Sequence, residues 1–315
     1  MEPAIRDVYG AELVRLGKEY PELVVLDADV SSSTKSCLFQ SEFPDRFFNV
    51  GISEANMTSM AAGLAKAGMV PFVNTFAAFI TTIGLLPARS LVAYMNCKVR
   101  LAGAYGGLSD SYDGATHHST DDIAIMRAVP NMTILVASDA VQVKEIMRQS
   151  MEIDGPVYFR LSREAMPPIS RQEPVKIGKG CVLREGIDVT IFSCGVMCSQ
   201  ALQAAERLSA EGIEARVVDL FTIKPIDAEI VEASVKQTGA VVTAEEHSVI
   251  GGLGAAVLDV MAERDCYAPL VKVGIQDCFT ESGAYSALLK KYQVDAGAVI
   301  KAAREAVKRK GKPIV

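Results

Sequence analysis

The chain has 315 residues, of which 50% are hydrophobic and 22% are charged, and this composition is typical of a globular protein rather than a disordered one. The 32 lysines and arginines against 38 aspartates and glutamates give a net charge of −6, without the basic footprint of a nucleic-acid-binding protein. Seven cysteines form no C-x2-C pair, which favours reduced thiols in a cytoplasmic protein over disulfides.

One uncharged stretch of 22 residues, 67–88, is long enough to span a bilayer. Its two prolines, its asparagine and its threonines disfavour a helix facing lipid, so we expect a buried strand followed by a buried helix. The N-terminus carries neither the basic nor the apolar region of a secretion signal. The sequence therefore predicts a protein without a membrane span.

Short β-branched runs alternate with longer helical patterns along the chain, which is typical of an α/β fold with parallel sheets. A loop rich in glycine, serine and aspartate covers 103–120. The predicted strands are 23–27, 47–50, 70–74, 98–102, 133–137, 157–161, 188–193, 215–219, 240–243 and 270–273. The predicted helices are 4–19, 54–67, 76–94, 120–127, 140–151, 198–211, 227–237, a helix that ends at 263, and 296–308.

A segment with three prolines but no periodicity separates the two halves of this pattern. We therefore expect a domain at 1–166, a linker at 167–182 and a second domain at 183–315. Each domain is predicted to contain a mostly parallel sheet flanked by helices.

Ligands of open parallel sheets bind beyond the carboxyl ends of the strands, so polar residues that follow strands are the candidates. Glu54 comes shortly after the strand 47–50 and begins a helix. One interpretation is a carboxylate that favours the helix dipole, with Ser53 as the N-cap. The other is a buried carboxyl group suited to moving protons near neutral pH, because the helix behind it is largely apolar.

The loop 103–120 and the residues after it contain two of the three histidines. Asp113, His117, His118 and Asp121 admit three interpretations: a solvated loop, a metal site, or a site that binds hydroxyl groups and exchanges protons. The spacing does not select one of them.

Two further motifs are weaker. The turn 251–254 (GGLG) has the glycines of a phosphate-binding loop but neither a G-x-G-x-x-G pattern nor a P-loop lysine, which favours close packing of a helix on a sheet. Arg163 follows a strand and is either a solvated residue or a ligand for an anion.

Four blocks taken in order, FPDRFFNVGISEANM, AAGLAKAGMVPFVNTFAAF, DGATHHSTDDIAIMRAVPNM and FRLSREAMP, resemble the C-terminal half of the transketolase family. The second half, with KPID and EEH-x4-GGLG, is similar to the C-terminal domain of that family. The resemblance implies a pyrimidine-binding domain for thiamine diphosphate, followed by a transketolase C-terminal domain.

The resemblance also implies a function. Glu54 would hydrogen-bond the aminopyrimidine ring of thiamine diphosphate, and with His117 it would act in the transfer of a two-carbon ketol unit from a ketose or ketose phosphate to an aldose. The ring would lie against the aromatic side chains Phe76 and Phe79. The residues implied to contact the sugar or its phosphate are Arg6, Ser33, Asp113, His117 and Arg163.

Two positions depart from the family pattern, which leaves the sugar open. Tyr105 replaces a histidine near the substrate, and Thr82 replaces a tyrosine of the pyrimidine pocket. More importantly, the chain contains no Gly-Asp-Gly motif, which the family uses with a downstream asparagine to bind diphosphate through Mg²⁺. The resemblance therefore implies a separate N-terminal subunit that supplies this motif, the shared cofactor and the metal ligands, in a homodimer of this chain or a heterotetramer.

Other functions fit parts of the same pattern. An alternative is another thiamine enzyme with the same half-chain layout, the β subunit of a 2-oxoacid dehydrogenase or a split relative of 1-deoxyxylulose-phosphate synthase, although His117 and Arg163 favour sugars over oxoacids. A non-catalytic regulatory subunit would keep the fold without needing Glu54, Asp113 and His117 together. A metal hydrolase would use Asp113, His117, His118 and Asp121 as ligands.

Overall fold

Two β-sheets, one based in each half of the chain, organise this computed structural model, which describes residues 3–171 and 173–310. The strands of the first half are β1 (Leu23–Asp27), β2 (Phe47–Asn49), β3 (Val70–Phe76), β4 (Arg100–Ala104), β5 (Thr133–Val136) and β6 (Val157–Leu161). Its helices are α1 (Ile5–Glu19), α2 (Ser31–Thr34), α3 (Cys37–Glu42), α4 (Glu54–Lys66), α5 (Ala77–Ile80), α6 (Leu85–Pro87), α7 (Asp122–Arg127) and α8 (Ala140–Ser150), with a 3₁₀ turn at Pro44–Arg46 and a π-helical segment at Ala88–Ala93.

The second half has the same alternation of strands and helices. Its strands are β7 (Cys181–Arg184), β8 (Val189–Ser193), β9 (Ala215–Asp219), β10 (Thr222–Lys224), β11 (Val241–Ser248) and β12 (Leu270–Ile275). Its helices are α9 (Met197–Ser209), α10 (Ala228–Thr238), α11 (Leu253–Glu263), α12 (Tyr285–Lys291) and α13 (Ala296–Arg309). The described residues of 167–180 form neither helix nor strand.

The strand order is β10-β5-β6-β4-β3-β1-β2 in the first sheet and β12-β11-β8-β9-β7 in the second. Only the short edge strands β10 and β7 are antiparallel to their neighbours in the part of the chain that the structure describes. The central strands β1, β3, β4 and β6 are buried along their whole length, because helices cover both faces of a parallel sheet. The predicted fold class is confirmed.

Strand β10 joins the second half to the first sheet. Thr222 pairs with Leu135 of β5, and the ammonium group of Lys224 donates to the carbonyl oxygens of Arg127 at 2.9 Å and Val129 at 2.6 Å. The sequence pattern does not predict this strand. It fixes the C-terminal domain against the edge of the first sheet.

The prediction of one buried helix over 76–94 is wrong in two respects. It is divided into α5, α6 and the π-helical segment, since Pro87 has no N–H to donate and its ring crowds the preceding turn. It also has a solvent-facing side, on which Ile83, Leu86 and Tyr94 are 53%, 73% and 84% exposed. Within the described ranges, no helix combines the length and the apolar character needed to cross a bilayer.

Register brings the carboxyl ends of three strands to one edge of the first sheet. Asp27 of β1 pairs with Asn74 of β3, and Phe76 at the end of β3 pairs with Ala104 at the end of β4. The loops that follow these strands therefore meet at the same edge, where an open parallel sheet binds its ligands.

Candidate active site

Glu54 is the first residue of α4 and lies beside the end of β3. Only 3% of its surface is exposed, and the Thr75 hydroxyl lies 3.4 Å from its Oε1, as a hydrogen-bond donor. The prediction of a buried carboxyl group is confirmed, while Ser53 at the N-cap position makes no capping side-chain bond. Not all of the helix is buried, because Ala55, Asn56 and Met60 face solvent. One face of α4 is therefore exposed to solvent, while the carboxyl group at its first residue is shielded from water. Such a carboxyl group is suited to bind a polar ligand.

A cluster of aromatic rings begins at Phe76, the residue after Thr75, whose hydroxyl donates to Glu54. Phe76 and Phe79 have ring centroids 5.8 Å apart, and the His117 ring meets Phe79 edge-on at 5.1 Å. The Tyr105 ring stacks on Phe76 at 4.9 Å with 19° between the planes. The structure thus brings Phe76, Phe79 and His117 together as predicted, and adds Tyr105. Such a wall suits a flat heterocyclic ring, because aromatic faces and edges attract one another.

Tyr105 also organises the polar end of the site. Its hydroxyl donates to the carbonyl oxygen of Ser33 at 3.0 Å and accepts from the guanidinium of Arg6. The guanidinium carbon atoms of Arg6 and Arg163 lie 5.6 and 5.3 Å from the Tyr105 ring centroid. The three predicted contacts for an anion, Arg6, Ser33 and Arg163, are therefore close together around one tyrosine.

The turn that carries Ser33 is ordered by a buried carboxylate at the end of β1. The backbone N–H of Val30 donates to Asp27 Oδ1 at 2.7 Å, and the Ser36 hydroxyl donates to Oδ2 at 2.8 Å. Burial raises the pKa of Asp27, while these hydrogen bonds favour its ionised form. Asp27 thus holds the first turn after β1 at the sheet edge.

The loop 105–118 carries the other predicted residues, and the C-terminal domain holds it in place. The backbone N–H of Leu108 donates to Oε1 of Glu246 at 2.9 Å, and the His118 ring lies 2.7 Å from the Thr280 hydroxyl. Asp113 is exposed, whereas His117 is half-buried with Thr116 Oγ1 at 3.0 Å from its Nδ1. Both side chains are accessible to a sugar in this structure.

Asp110 is a candidate site residue that was not predicted from the sequence. It is fully buried in the same loop, and Arg163 Nη1 donates to its Oδ1 at 3.3 Å. Burial, together with the nearby Asp113 carboxyl group, raises the pKa of Asp110 to about 7. The sequence signal was only the cluster of aspartates in this loop, because the pairing with Arg163 depends on residues 53 positions apart.

The described residues do not support the interpretation of this loop as the metal site of a hydrolase. Burial lowers the pKa of His118, which pairs with Thr280. Over residues 3–171 and 173–310, no group of three histidine, cysteine, aspartate or glutamate side chains has the arrangement of a metal site. Asp122, which follows the proposed ligands, binds Arg160 at 2.9 Å and Tyr158 at 2.7 Å.

The glycine turn 251–254 packs against a carboxylate of the protein itself. Backbone N–H groups of Leu253 and Gly254 donate to Glu245 at 2.6 and 2.8 Å, and a Cβ atom on Gly252 would lie 2.0 Å from Glu245 Oε2. Glu245 therefore occupies the place that a phosphate takes at other helix N-termini. The close-packing interpretation of the turn is correct.

A cavity of about 290 Å³ opens beside the aromatic wall. Phe79, Thr82, Thr116, His118 and the exposed Phe279 are among its lining residues. Larger cavities of about 470 and 410 Å³ lie elsewhere, beside β12 and α13 and near Tyr94. The cavity at the sheet edge is the one that adjoins Phe79 and the His117 loop.

The fold and the site define a member of the thiamine-diphosphate enzymes built from a pyrimidine-binding domain and a C-terminal domain. The family model "Transketolase, pyrimidine binding domain" matches residues 1–168, and "Transketolase, C-terminal domain" matches residues 178–299. The chain belongs to the transketolase family, whose members transfer ketol groups, and it corresponds to the C-terminal subunit of a split transketolase. The resemblance found in the sequence is confirmed.

Relatives of similar length support this identification. The chain is 40% identical to the 6-deoxy-6-sulfo-D-fructose transketolase subunit SqwH of Clostridium sp. (strain MSTE9), over 97% of this chain and 95% of that protein. It is 33% identical to an apulose-4-phosphate transketolase subunit of Phocaeicola vulgatus, over 97% and 98%. A solved structure described as "Split gene transketolase, inactive beta4 tetramer" has 46% identity, a TM-score of 0.90 and coverage of 98% and 99%.

Proposed function

We propose that this chain, combined with an N-terminal subunit, transfers a two-carbon ketol unit from a ketose to an aldose with thiamine diphosphate. The observation that carries the proposal is the buried carboxyl group of Glu54, which accepts from Thr75 at the end of β3, where the Phe76–Phe79 pair of rings begins. Thiamine diphosphate supplies a thiazolium ring that stabilises a carbanion, which is chemistry that side chains do not provide.

The residues present fit the pyrimidine end of this cofactor. Glu54 would share a proton with a ring nitrogen, and its shielding from water and its contact with Thr75 support this role. Phe76 and Phe79 would contact the ring, and a charge-assisted hydrogen bond shielded from water is stronger than one in water. Glu54 is thus the proposed residue that activates the aminopyrimidine.

The sugar is proposed to lie between the aromatic wall and the loop 105–118. His117 is suited to bind a sugar hydroxyl and to move its proton, because a half-buried imidazole both donates and accepts. Asp113 accepts from a neighbouring hydroxyl. Arg6 and Arg163, with Ser33, bind the terminal group of a sugar phosphate or similar acid at the Tyr105 end.

The diphosphate and Mg²⁺ are proposed to be held by the partner chain. The sequence has no Gly-Asp-Gly motif, and the described residues of this chain offer no acidic cluster for a metal. Ile52, Ile83 and Leu86 are each more than half exposed, and we propose that the partner chain covers them. We propose that two chains of each kind form a heterotetramer, with the cofactor between subunits. The seven free cysteines support a cytoplasmic location.

Reconstitution tests this function. The chain alone should not produce sedoheptulose 7-phosphate from D-xylulose 5-phosphate and D-ribose 5-phosphate, whereas addition of an N-terminal subunit with the Gly-Asp-Gly motif, thiamine diphosphate and Mg²⁺ should give turnover. Pyruvate with an artificial electron acceptor is the parallel assay for a 2-oxoacid dehydrogenase. Turnover by the single chain, or turnover with pyruvate only, would contradict the proposal.

A further inference from the structure

The Asp110 carboxylate has one oxygen with a partner and one without. Oδ1 accepts from Arg163 Nη1 at 3.3 Å, whereas the buried Oδ2 has no hydrogen-bond donor among the residues that the structure describes. The side chain is 0% exposed. A buried carboxylate oxygen without a donor destabilises the fold, so the stability of the loop alone does not explain why Asp110 stands beside Arg163.

The second neighbour of Asp110 is another acid. The Asp113 carboxyl group lies close enough to Asp110 to act, with burial, against its ionisation. The buried Asp110 carboxyl group contacts the Arg163 guanidinium directly, so it offsets part of the positive charge that Arg163 offers to a ligand.

The other charged groups of this pocket nearly balance. Arg6 and Arg163 face the Tyr105 ring, and the Nε atom of Arg6 is buried without an acceptor. Glu164 is half-buried beside both guanidinium groups, and burial raises its pKa. His118, which adjoins Asp113, has a pKa lowered by burial. Two positive charges thus face up to two negative ones, which leaves little attraction for a second charge on the ligand.

We propose that Asp110 is a specificity-determining residue, which makes the Arg163 end of the pocket favour a sugar whose terminal group is uncharged or singly charged over one that carries a dianionic phosphate. This inference rests on the proposed ketol transfer. A sulfonate, which carries one charge at all relevant pH values, accepts from Arg163 and brings a single negative charge near Asp110. A phosphate dianion brings two charges to the same place, beside the buried Asp110 carboxyl group, where like charges repel more strongly than in water.

The test compares sugars that differ only in the terminal group. Wild-type and Asp110→Asn subunits are combined with the N-terminal subunit, thiamine diphosphate and Mg²⁺. Donors are D-fructose 6-phosphate, 6-deoxy-6-sulfo-D-fructose and D-fructose, with glycolaldehyde as the uncharged acceptor. Asp110→Asn should raise the phosphate-to-sulfonate ratio of kcat/KM about tenfold. Asp121→Asn, an exposed aspartate beyond the same loop, should leave the ratio unchanged.

Several results would overturn the inference. An unchanged ratio, or an equal fall of kcat/KM for all three donors, would show that Asp110 has only a structural role. If Asp110→Asn does not fold, Asp110→Ser makes the same charge change in a smaller side chain. If the complex transfers no ketol group at all, the proposed function fails, and calorimetric binding of the two charged sugars still decides whether Asp110 sets their ratio of Kd values.

Discussion

Replacing Glu246 by glutamine tests how the C-terminal domain holds the substrate loop. Glu246 lies in β11, is 2% exposed, and accepts from the Leu108 backbone N–H at 2.9 Å. Burial raises its pKa from 4.5 to about 7, although the Arg160 guanidinium and the Leu108 hydrogen bond oppose this rise. Glutamine keeps the size of the side chain and an oxygen acceptor for Leu108 but does not titrate.

The direction in which the free energy of unfolding changes with pH follows from whether the folded or the unfolded chain holds the Glu246 proton more tightly. Between pH 4.5 and 7 the folded protein retains a proton at Glu246 that the unfolded chain has released, so the free energy of unfolding falls as the pH rises through this window. A pKa difference of about 2.5 is worth about 3 kcal/mol once the pH exceeds both values. Other buried acids titrate alike in both proteins and cancel in the comparison.

Urea unfolding of wild type and Glu246→Gln at pH 5 and pH 8 measures this difference. The substitution should increase the free energy of unfolding by about 2.5 kcal/mol more at pH 8 than at pH 5. Glu206→Gln, at an exposed position of α9, is the control and should change stability by no more than about 0.5 kcal/mol at either pH. An equal effect of Glu246→Gln at both pH values would refute the reasoning.

Three further substitutions test other contacts. Gly107→Ala should destabilise the fold by about 2 kcal/mol in urea, because Gly107 has φ +69° and a Cβ atom there would lie 2.5 Å from Glu246 Cδ; unchanged stability would refute this. Asp139→Asn should cost about 3 kcal/mol, because Asp139 caps α8 and pairs with buried Arg171 at 2.6 Å; an unchanged melting temperature would contradict this role. Arg163→Ala should raise KM about tenfold for sugars with an anionic terminus and little for uncharged ones, with kcat nearly kept; an equal effect on both would remove the anion-binding assignment.

The buried strands were predictable because each one coincides with a run of β-branched and apolar residues in the sequence. The strands 23–27, 157–161 and 215–219 begin and end where the β-branched and apolar runs do, since strands covered on both faces are apolar throughout. The edge strands β7 and β10 were missed, because runs of only four and three residues are too short to show such a pattern, and β7 also has partly exposed side chains. Their place depends on pairing with strands far along the chain.

Some residues of the site were also predictable from the sequence and others were not. Glu54 and Arg163 were predicted to lie at the sheet edge because each follows a strand. The structure adds that Arg6, Ser33 and Tyr105 form one cluster. Asp110 and Glu246 were not predictable, because their roles depend on contacts with residues that are 53 and 138 positions away in the sequence. The chemical roles assigned to the site residues remain predictions.

The exchange of the C2 proton of thiamine diphosphate in the reconstituted complex tests the central claim most directly. Quenched-flow NMR of the cofactor in deuterated water should show fast exchange only when both subunits are present. Glu54→Gln should slow the exchange at least about 100-fold, which is the scale of a lost proton-transfer group, while Glu42→Gln, at an exposed position of α3, should not. Exchange at the wild-type rate in Glu54→Gln would contradict the account.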